Sequence, residues 1–322
     1  IQKTVNISSL AEPKDDLRHR ICEQYAIKNQ YQSHKELLKN ENLNAVVVTL
    51  PRDHTYSVVK DCLEAGKHVL SEKPLSLNYK NASNLKKIAK QNNLVLKVGY
   101  MKRNDDGVKK FKNIIQKNIR KGKLPIIVKS SCYMGDSYCN PIGDIKSKSE
   151  IIKSGIKKEK FPPFKFNQMR KGYENFINTY SHTLDALNFI FNQKLALIKS
   201  DISYEGFGIT LLKIGGIVCE FSSAKLTSNE WFEEIQVIFE DEIHTLKFPP
   251  ALLKNVPATI ISQEGKSSFE KKIIRPKWSW SFINQANEFL NEVRNLNLDR
   301  QTLDSAIEVL KLSEEIFKTL RN

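Results

Sequence analysis

The stretch from Ala45 to Pro74 constrains the fold more than any other part of the chain. AVVVTL (Ala45–Leu50) is a continuous run dominated by β-branched residues, as expected of a strand buried on both faces. His54–Ala65 has helical periodicity, and Gly66 stops it. HVLSE (His68–Glu72) reads as the next strand. Strand, helix and strand at this spacing require a crossover connection, and hence a parallel sheet. Ligands of such sheets gather outside the carboxyl ends of the strands. Thr49, Pro51, His54, Glu72, Lys73 and Pro74 therefore crowd one edge. The two prolines have fixed φ and no N–H, so they can wall a flat ring while leaving carbonyls to accept bonds from it.

The same alternation extends to either side. Val5–Ala11 reads as a strand, Asp15–Tyr25 and Ser33–Asn40 as helices. Ser76 can cap a helix running to Gln91, and Leu94–Gly99 is a further strand. After Gly99 the pattern changes. A helix (Val108–Ile119) leads to a strand (Ile126–Tyr133), a loop-rich stretch (Met134–Met169) and a helix (Asn175–Phe191). Five strand-like runs between Leu195 and Phe248 follow one another with short turns, the mark of antiparallel pairing. Helices Trp280–Leu296 and Thr302–Leu320 close the chain. The expected architecture is an α/β domain over residues 1–99 and an α+β domain over 100–322. The second domain has a large, mostly antiparallel sheet with helices on one face. Its open face would need cover, which predicts a homo-oligomer, dimer or tetramer.

Composition narrows the function. The net charge of +15 raises nucleic acid as a partner, but the lysines are spread over the whole chain, which argues for solvated surface and no nucleic acid. The densest basic stretch, Lys153–Lys171, is either a solvated loop or the lining of a site for an anionic substrate. No run of eighteen apolar residues occurs, so no membrane span is expected. The five cysteines show no CxxC spacing, so no metal site is expected. Reduced thiols fit a cytoplasmic protein.

AVVVTLPRDH, EAGKHVL and EKPLS together resemble the Gfo/Idh/MocA family of oxidoreductases, which includes glucose–fructose oxidoreductase and inositol dehydrogenase. The resemblance continues more weakly through VGYMKRNDDG (Val98–Gly107) and the His182 helix. It implies an N-terminal Rossmann domain for NAD(P) and a C-terminal domain for substrate binding and oligomerisation. The implied activity is hydride transfer between nicotinamide and a secondary hydroxyl of a sugar, polyol or nucleotide sugar. Lys73 would touch both the nicotinamide ribose and the reacting hydroxyl, its ammonium stabilising the developing alkoxide. Glu12 closes the first strand, where an acid bonds the adenosine ribose and repels a 2′-phosphate; NAD is expected over NADP. The sequence has no GxGxxG turn. The Rossmann domain therefore reads as incomplete, lacking its first strand and glycine loop, roughly thirty residues by the size of a βαβ unit. On this reading the polypeptide as written binds NAD weakly or not at all.

Asn178, His182 and Asp185 fall at i, i+4 and i+7 of the Asn175–Phe191 segment, one stripe of a helix beside an apolar face. The segment is similar to the family's D-x-G-x-H-x-x-D helix, with Asn178 where Asp is usual and Tyr180 where Gly is usual. The resemblance implies Lys73 and His182 as the acid–base pair, with Asn178 and Asp185 toward substrate. Arg103 and Asp105 follow the last strand of the first domain and either enter the cleft between domains, Arg103 toward substrate, or form a surface turn. Tyr133, Asp136 and Tyr138 are candidate substrate contacts from the second sheet. Trp231, Trp278 and Trp280 suit packing or oligomer contacts. The alternative is a catalytically idle relative that binds a sugar or nucleotide for regulation or scaffolding, motivated by Asn178 and the absent glycine loop.

Overall fold

A computed structural model describes residues 5–135, 147, 155–250, 252–265, 267–268, 270–296, 298 and 300–320. Asp136, Tyr138 and Cys139 lie outside the described residues. The N-terminal part contains two parallel sheets. Strand β1 (Ser9–Ala11) pairs with β2 (Asn29–Tyr31) across helix α1 (Asp15–Tyr25). Helix α2 (His34–Asn40) leads to the second sheet, in which β3 (Ala45–Val48), β4 (His68–Ser71) and β5 (Leu96–Val98) lie in that order. Helices α3 (Arg52–Glu64) and α4 (Tyr79–Gln91) supply its crossovers. Among the described residues the two sheets share no ladder. Strand β2 was not expected, because NQY has no apolar run; it is held by backbone pairing to β1 and by the Tyr31 hydroxyl, which donates to Glu41 Oε1 at 2.7 Å.

Gly66 ends α3 as expected. Its φ of +74° turns the chain so that Lys67 N–H donates to Cys62 O at 3.0 Å. The cap of α4 is corrected. Asn78, not Ser76, accepts from the N–H of Asn81 at 2.9 Å, while the Ser76 hydroxyl is buried against Asn78 O and the Glu159 carboxylate.

The 3₁₀ turn Met101–Asn104 and helix α5 (Asp106–Arg120) follow β5. The second part is built on one eight-stranded sheet. Its strands are β6 (Ile127–Met134), β7 (Leu195–Ile202), β8 (Gly208–Ile214), β9 (Ile217–Lys225), β10 (Trp231–Ile238), β11 (Glu242–Lys247), β12 (Thr259–Glu264) and β13 (Glu270–Ile274). The order is β13-β12-β11-β10-β6-β9-β8-β7, and every pairing is antiparallel except β6 with β9. Strands β12 and β13 carry weak signals. Four of the five β13 residues are exposed, so its sequence needs little apolar alternation.

Alternation along the strands sends Leu212, Phe221, Ile235, Val237 and Leu246 into the core. Helices α5, α6 (Gln168–Thr179), α7 (Ser181–Phe191) and α9 (Gln301–Lys318) contribute to the same core. The opposite face carries Ile209, Val218, Phe232 and Ile273, each 40–48% exposed. Helix α8 (Ser281–Asn295) packs Phe289 against Leu70 and Val95, and α9 reaches β5 and α4. The last two helices thus lie against the first part of the chain, and one apolar cluster runs from Val48 to Phe317. Cys22, Cys62, Cys132 and Cys219 are buried free thiols. Among the described residues no helix is long and apolar enough to cross a membrane.

Candidate active site

The carboxyl ends of β3 and β4 present the motif residues on one edge. Thr49 and Pro51 are exposed after β3, and Pro51 O accepts from His54 N–H at 2.9 Å to start α3. Glu72 N–H donates to Val48 O at 2.9 Å, which fixes the end of β4 beside the end of β3. Gly99 lies against the Glu72 carboxylate; a Cβ there would meet it at 3.1 Å. Burial pushes the Glu72 carboxyl up, and Lys73 opposes this. The Lys73–Pro74 peptide is cis. Glu12 stands at the carboxyl end of β1, its N–H donating to Tyr31 O and its Oε1 accepting from Lys14 N–H, both at 3.0 Å.

Lys73 Nζ reaches across to the second part of the chain. It donates to Asn178 Oδ1 at 2.8 Å and to the Asn178 main-chain carbonyl. Burial brings its ammonium down to about 8; Glu72 opposes the shift, and Arg52 and Lys102 add to it. Arg52, at the start of α3, donates to Glu174 Oε1 on α6 at 2.9 Å and ties the two elements beside this contact.

The segment expected to be one helix is two. Helix α6 ends at Thr179 and α7 starts at Ser181, with Tyr180 between them. Tyr180 is buried, and its hydroxyl donates to Ala224 O at 3.0 Å. The break divides the expected stripe. Asn178 faces Lys73, whereas Asp185 faces Arg103. His182 sits in the first turn of α7, its ring edge-on to Tyr100 with centroids 5.6 Å apart. His182 Nδ1 is buried with no hydrogen-bond partner among the described residues. Burial, then the charges of Lys73 and Lys102, hold the imidazole well below its usual range. A neutral imidazole beside an ammonium can accept a proton while the ammonium steadies the charge left behind.

Arg103 and Asp185 form a buried bidentate pair with both contacts at 2.8 Å, and Ser305 Oγ donates to Asp185 Oδ1 at 2.7 Å. These bonds join the 3₁₀ turn, α7 and α9. Asp105 is the cap of α5, accepting from the N–H groups of Gly107, Val108 and Ala258. Tyr133 lies on the open sheet face, stacked on Phe232 and bonded to Ser222. Trp278 is 89% exposed, and Trp280 is the residue just before α8.

Lys102 was missed by sequence reasoning. Its ammonium is buried against Glu233 and lies 4.5 Å from the centroid of the Phe248 ring. Thr183 Oγ1 donates to the same Glu233 oxygen at 2.6 Å. A signal existed: Glu233 shares the core-facing register of β10 with Ile235 and Val237, and a carboxylate there needs a partner.

A parallel sheet with the motif residues at its carboxyl edge, beside a mostly antiparallel sheet whose helix layer brings Asn178 and His182 to that edge, defines a Rossmann-type α/β part joined to an α+β part. Residues 2–100, the N-terminal part of the chain, match the model of the Gfo/Idh/MocA oxidoreductase family with an NAD-binding Rossmann fold. An uncharacterised oxidoreductase of Schizosaccharomyces pombe is 47% identical over 72 residues, 22% of this chain and 19% of that protein. The myo-inositol 2-dehydrogenase of Thermotoga maritima is 28% identical over 108 residues, 34% of this chain and 32% of that protein. These matches thus span a fifth to a third of the relatives' length. A crystal structure of a 3-ketoreductase from Actinomadura kijaniata, in complex with NADP and TDP-benzene, superposes with a TM-score of 0.73 at 14% identity, covering 97% of this chain and 88% of that one. A dehydrogenase from Clostridium difficile gives 0.70 at 17% identity, covering 94% and 87%. At such identities the likeness concerns the fold.

Proposed function

We propose that the protein is an NAD-dependent dehydrogenase acting on a secondary hydroxyl of a sugar, polyol or nucleotide sugar. The observation that carries this reading is the bond from Lys73 Nζ to Asn178 Oδ1, with His182 one turn further along. Bound nicotinamide would accept or donate the hydride. Thr49, Pro51, His54, Glu72 and Pro74 would hold its nicotinamide end, and Glu12 the adenosine ribose. A carboxylate at Glu12 disfavours a 2′-phosphate, so NAD is favoured over NADP.

His182, kept neutral, takes the hydroxyl proton, and the Lys73 ammonium stabilises the developing alkoxide. Lysine only donates, so Asn178 presents Oδ1 to it and keeps its NH₂ group for a substrate oxygen. Arg103 and Asp185 act on this site by fixing α7 under His182, since each is occupied by the other. The open sheet face serves a homo-oligomer, and the buried thiols suit the cytoplasm.

The test is hydride transfer followed at 340 nm with NAD and NADP across sugars, polyols and nucleotide sugars. Lys73→Ala and His182→Ala should each lose at least about a hundredfold in turnover. Near-normal rates in both reject the assignment. The neutral Asn178 favours a second reading, a relative that binds such a ligand without oxidising it. Stoichiometric binding with no absorbance change over the same panel would support that reading.

A further inference from the structure

The basic loop that the sequence left between solvated surface and anion site has a defined place. Residues 157–163 form one wall of a cavity of about 670 Å³, closed by α3, the start of α4 and the end of α9. None of Lys73, Asn178 and His182 lines it. That volume lies within the range of small-molecule sites.

The loop is pinned rather than loose. The half-buried Glu159 carboxylate accepts from Leu77 N–H at 2.9 Å, from Asn78 Nδ2 at 2.9 Å, from Asn81 Nδ2 at 2.7 Å and from the Ser76 hydroxyl. Glu159 N–H donates to Asp53 O at 2.7 Å, and Ser57 Oγ donates to Lys157 O at 2.7 Å. These bonds fix the loop that carries Lys157, Lys158 and Lys160. Lys80 and Lys318, from the start of α4 and the end of α9, line the same cavity.

Charge is unbalanced there. Five lysines face two carboxylates, Glu159 and Glu314, and both carboxylates are engaged by the first turn of α4. Lys158 pairs with Asp53 and Lys318 with Glu314. Lys157 and Lys160 are exposed and have no side-chain partner among the described residues. The lining also includes the half-buried rings of Tyr56, Tyr79 and Phe161. A lining that combines aromatic rings with lysines matches a ligand with a ring at one end and several negative charges at the other.

We propose that this cavity binds a nucleoside polyphosphate, its base against Tyr56, Tyr79 and Phe161 and its phosphates against Lys157 and Lys160, at a site separate from Lys73. The probes are ATP, inorganic pyrophosphate and adenosine, titrated by calorimetry into the unmodified chain at physiological salt. ATP should bind saturably, pyrophosphate more weakly and adenosine more weakly still. Lys157→Glu/Lys160→Glu, confined to exposed side chains, should weaken ATP by at least about tenfold. Lys271→Glu/Lys272→Glu, an equal charge change on the exposed β13 strand, should leave affinity within about twofold, a difference too small to count as a lost contact. Lys73→Ala should bind ATP as the parent does. Absence of saturable ATP binding overturns the proposal. So does equal loss in the two charge variants, which would mean general attraction to a basic surface. Loss in Lys73→Ala would place the nucleotide in the other site and equally overturn it.

Discussion

The ammonium of Lys102 and the carboxylate of Glu233 meet inside the protein, and Thr183, the neighbour of His182, donates to the same carboxylate oxygen at 2.6 Å. Neither charge has water to fall back on: the side chains are 7% and 0% exposed. Removing one partner strands the other. Glu233→Gln should therefore destabilise the fold by about 3–5 kcal/mol in urea denaturation, whereas Lys102→Met/Glu233→Leu together should cost far less. The double variant removes both charges of the pair, of which Lys102 is the one that bears on His182. The acidic limb of a pH–rate profile should move upward in it, because the protonated imidazole is then less disfavoured. An unmoved limb would separate Lys102 from the chemistry.

Lys73 gives a stability prediction with a definite sign. Its ammonium titrates at about 8 in the folded chain against an ordinary 10.5. Between these values the unfolded chain holds a proton that the native one has lost, so this group's contribution to stability rises with pH across that window. Below about 8 both states are protonated and the full cost of burying the ammonium remains. Lys73→Met should accordingly be more stable than the parent near neutral pH, by roughly 0.5–2 kcal/mol. The gap should shrink as pH rises toward 10.5. Urea midpoints of both proteins at about pH 7 and about pH 9.5 check this, and a gap that widens with pH contradicts it.

The contrast between Lys73 and Lys102 shows what was legible in the sequence. Lys73 stands at a strand end inside a run whose strand–helix–strand rhythm admits few folds, so its edge position followed from local pattern. Lys102 sits beside Arg103 in a 3₁₀ turn, and its partner lies 131 residues away. No local rule pairs them. Asn178, His182 and Asp185 share helical spacing, yet Tyr180 breaks the helix with neither Gly nor Pro present. The buried tyrosine and its bond to Ala224 O are tertiary facts that overrode a continuous helical pattern. Asp185 consequently turned to Arg103 and Ser305, both distant in sequence.

The open face of the eight-stranded sheet predicts association. Tyr133 and Phe232 pair across β6 and β10 on that face, and Ile209, Val218 and Ile273 share it. Phe232→Asp puts a carboxylate at the middle of the patch. If copies of the chain cover this face, the variant should weaken self-association by at least about a hundredfold in sedimentation experiments, since an unpaired buried charge is costly. The helical content by circular dichroism should not change. A parent that sediments as a protomer at every concentration removes this role from the face.

Two glycines should respond to alanine for different reasons, and the difference tests how α5 is fixed against the segment before β12. Gly66 has a φ of +74° and open space where a Cβ would go. Gly66→Ala suffers only the left-handed backbone strain, about 1 kcal/mol. Gly107, in the first turn of α5, would place a Cβ 2.0 Å from Ala258 O. Ala258 N–H is itself bonded to both carboxylate oxygens of Asp105 at 3.1 Å, so the carbonyl cannot retreat without breaking the cap of α5. Alanine's better helix propensity returns at most about 1 kcal/mol. Gly107→Ala should still lose at least about 2 kcal/mol by thermal denaturation, as overpacking against fixed backbone does. Asp105→Ala frees the carbonyl to move but sacrifices the cap. The double variant should therefore be less destabilised than the sum of the two single changes, as expected of sites that share one contact. Strict additivity would mean that Ala258 is held by something other than Asp105.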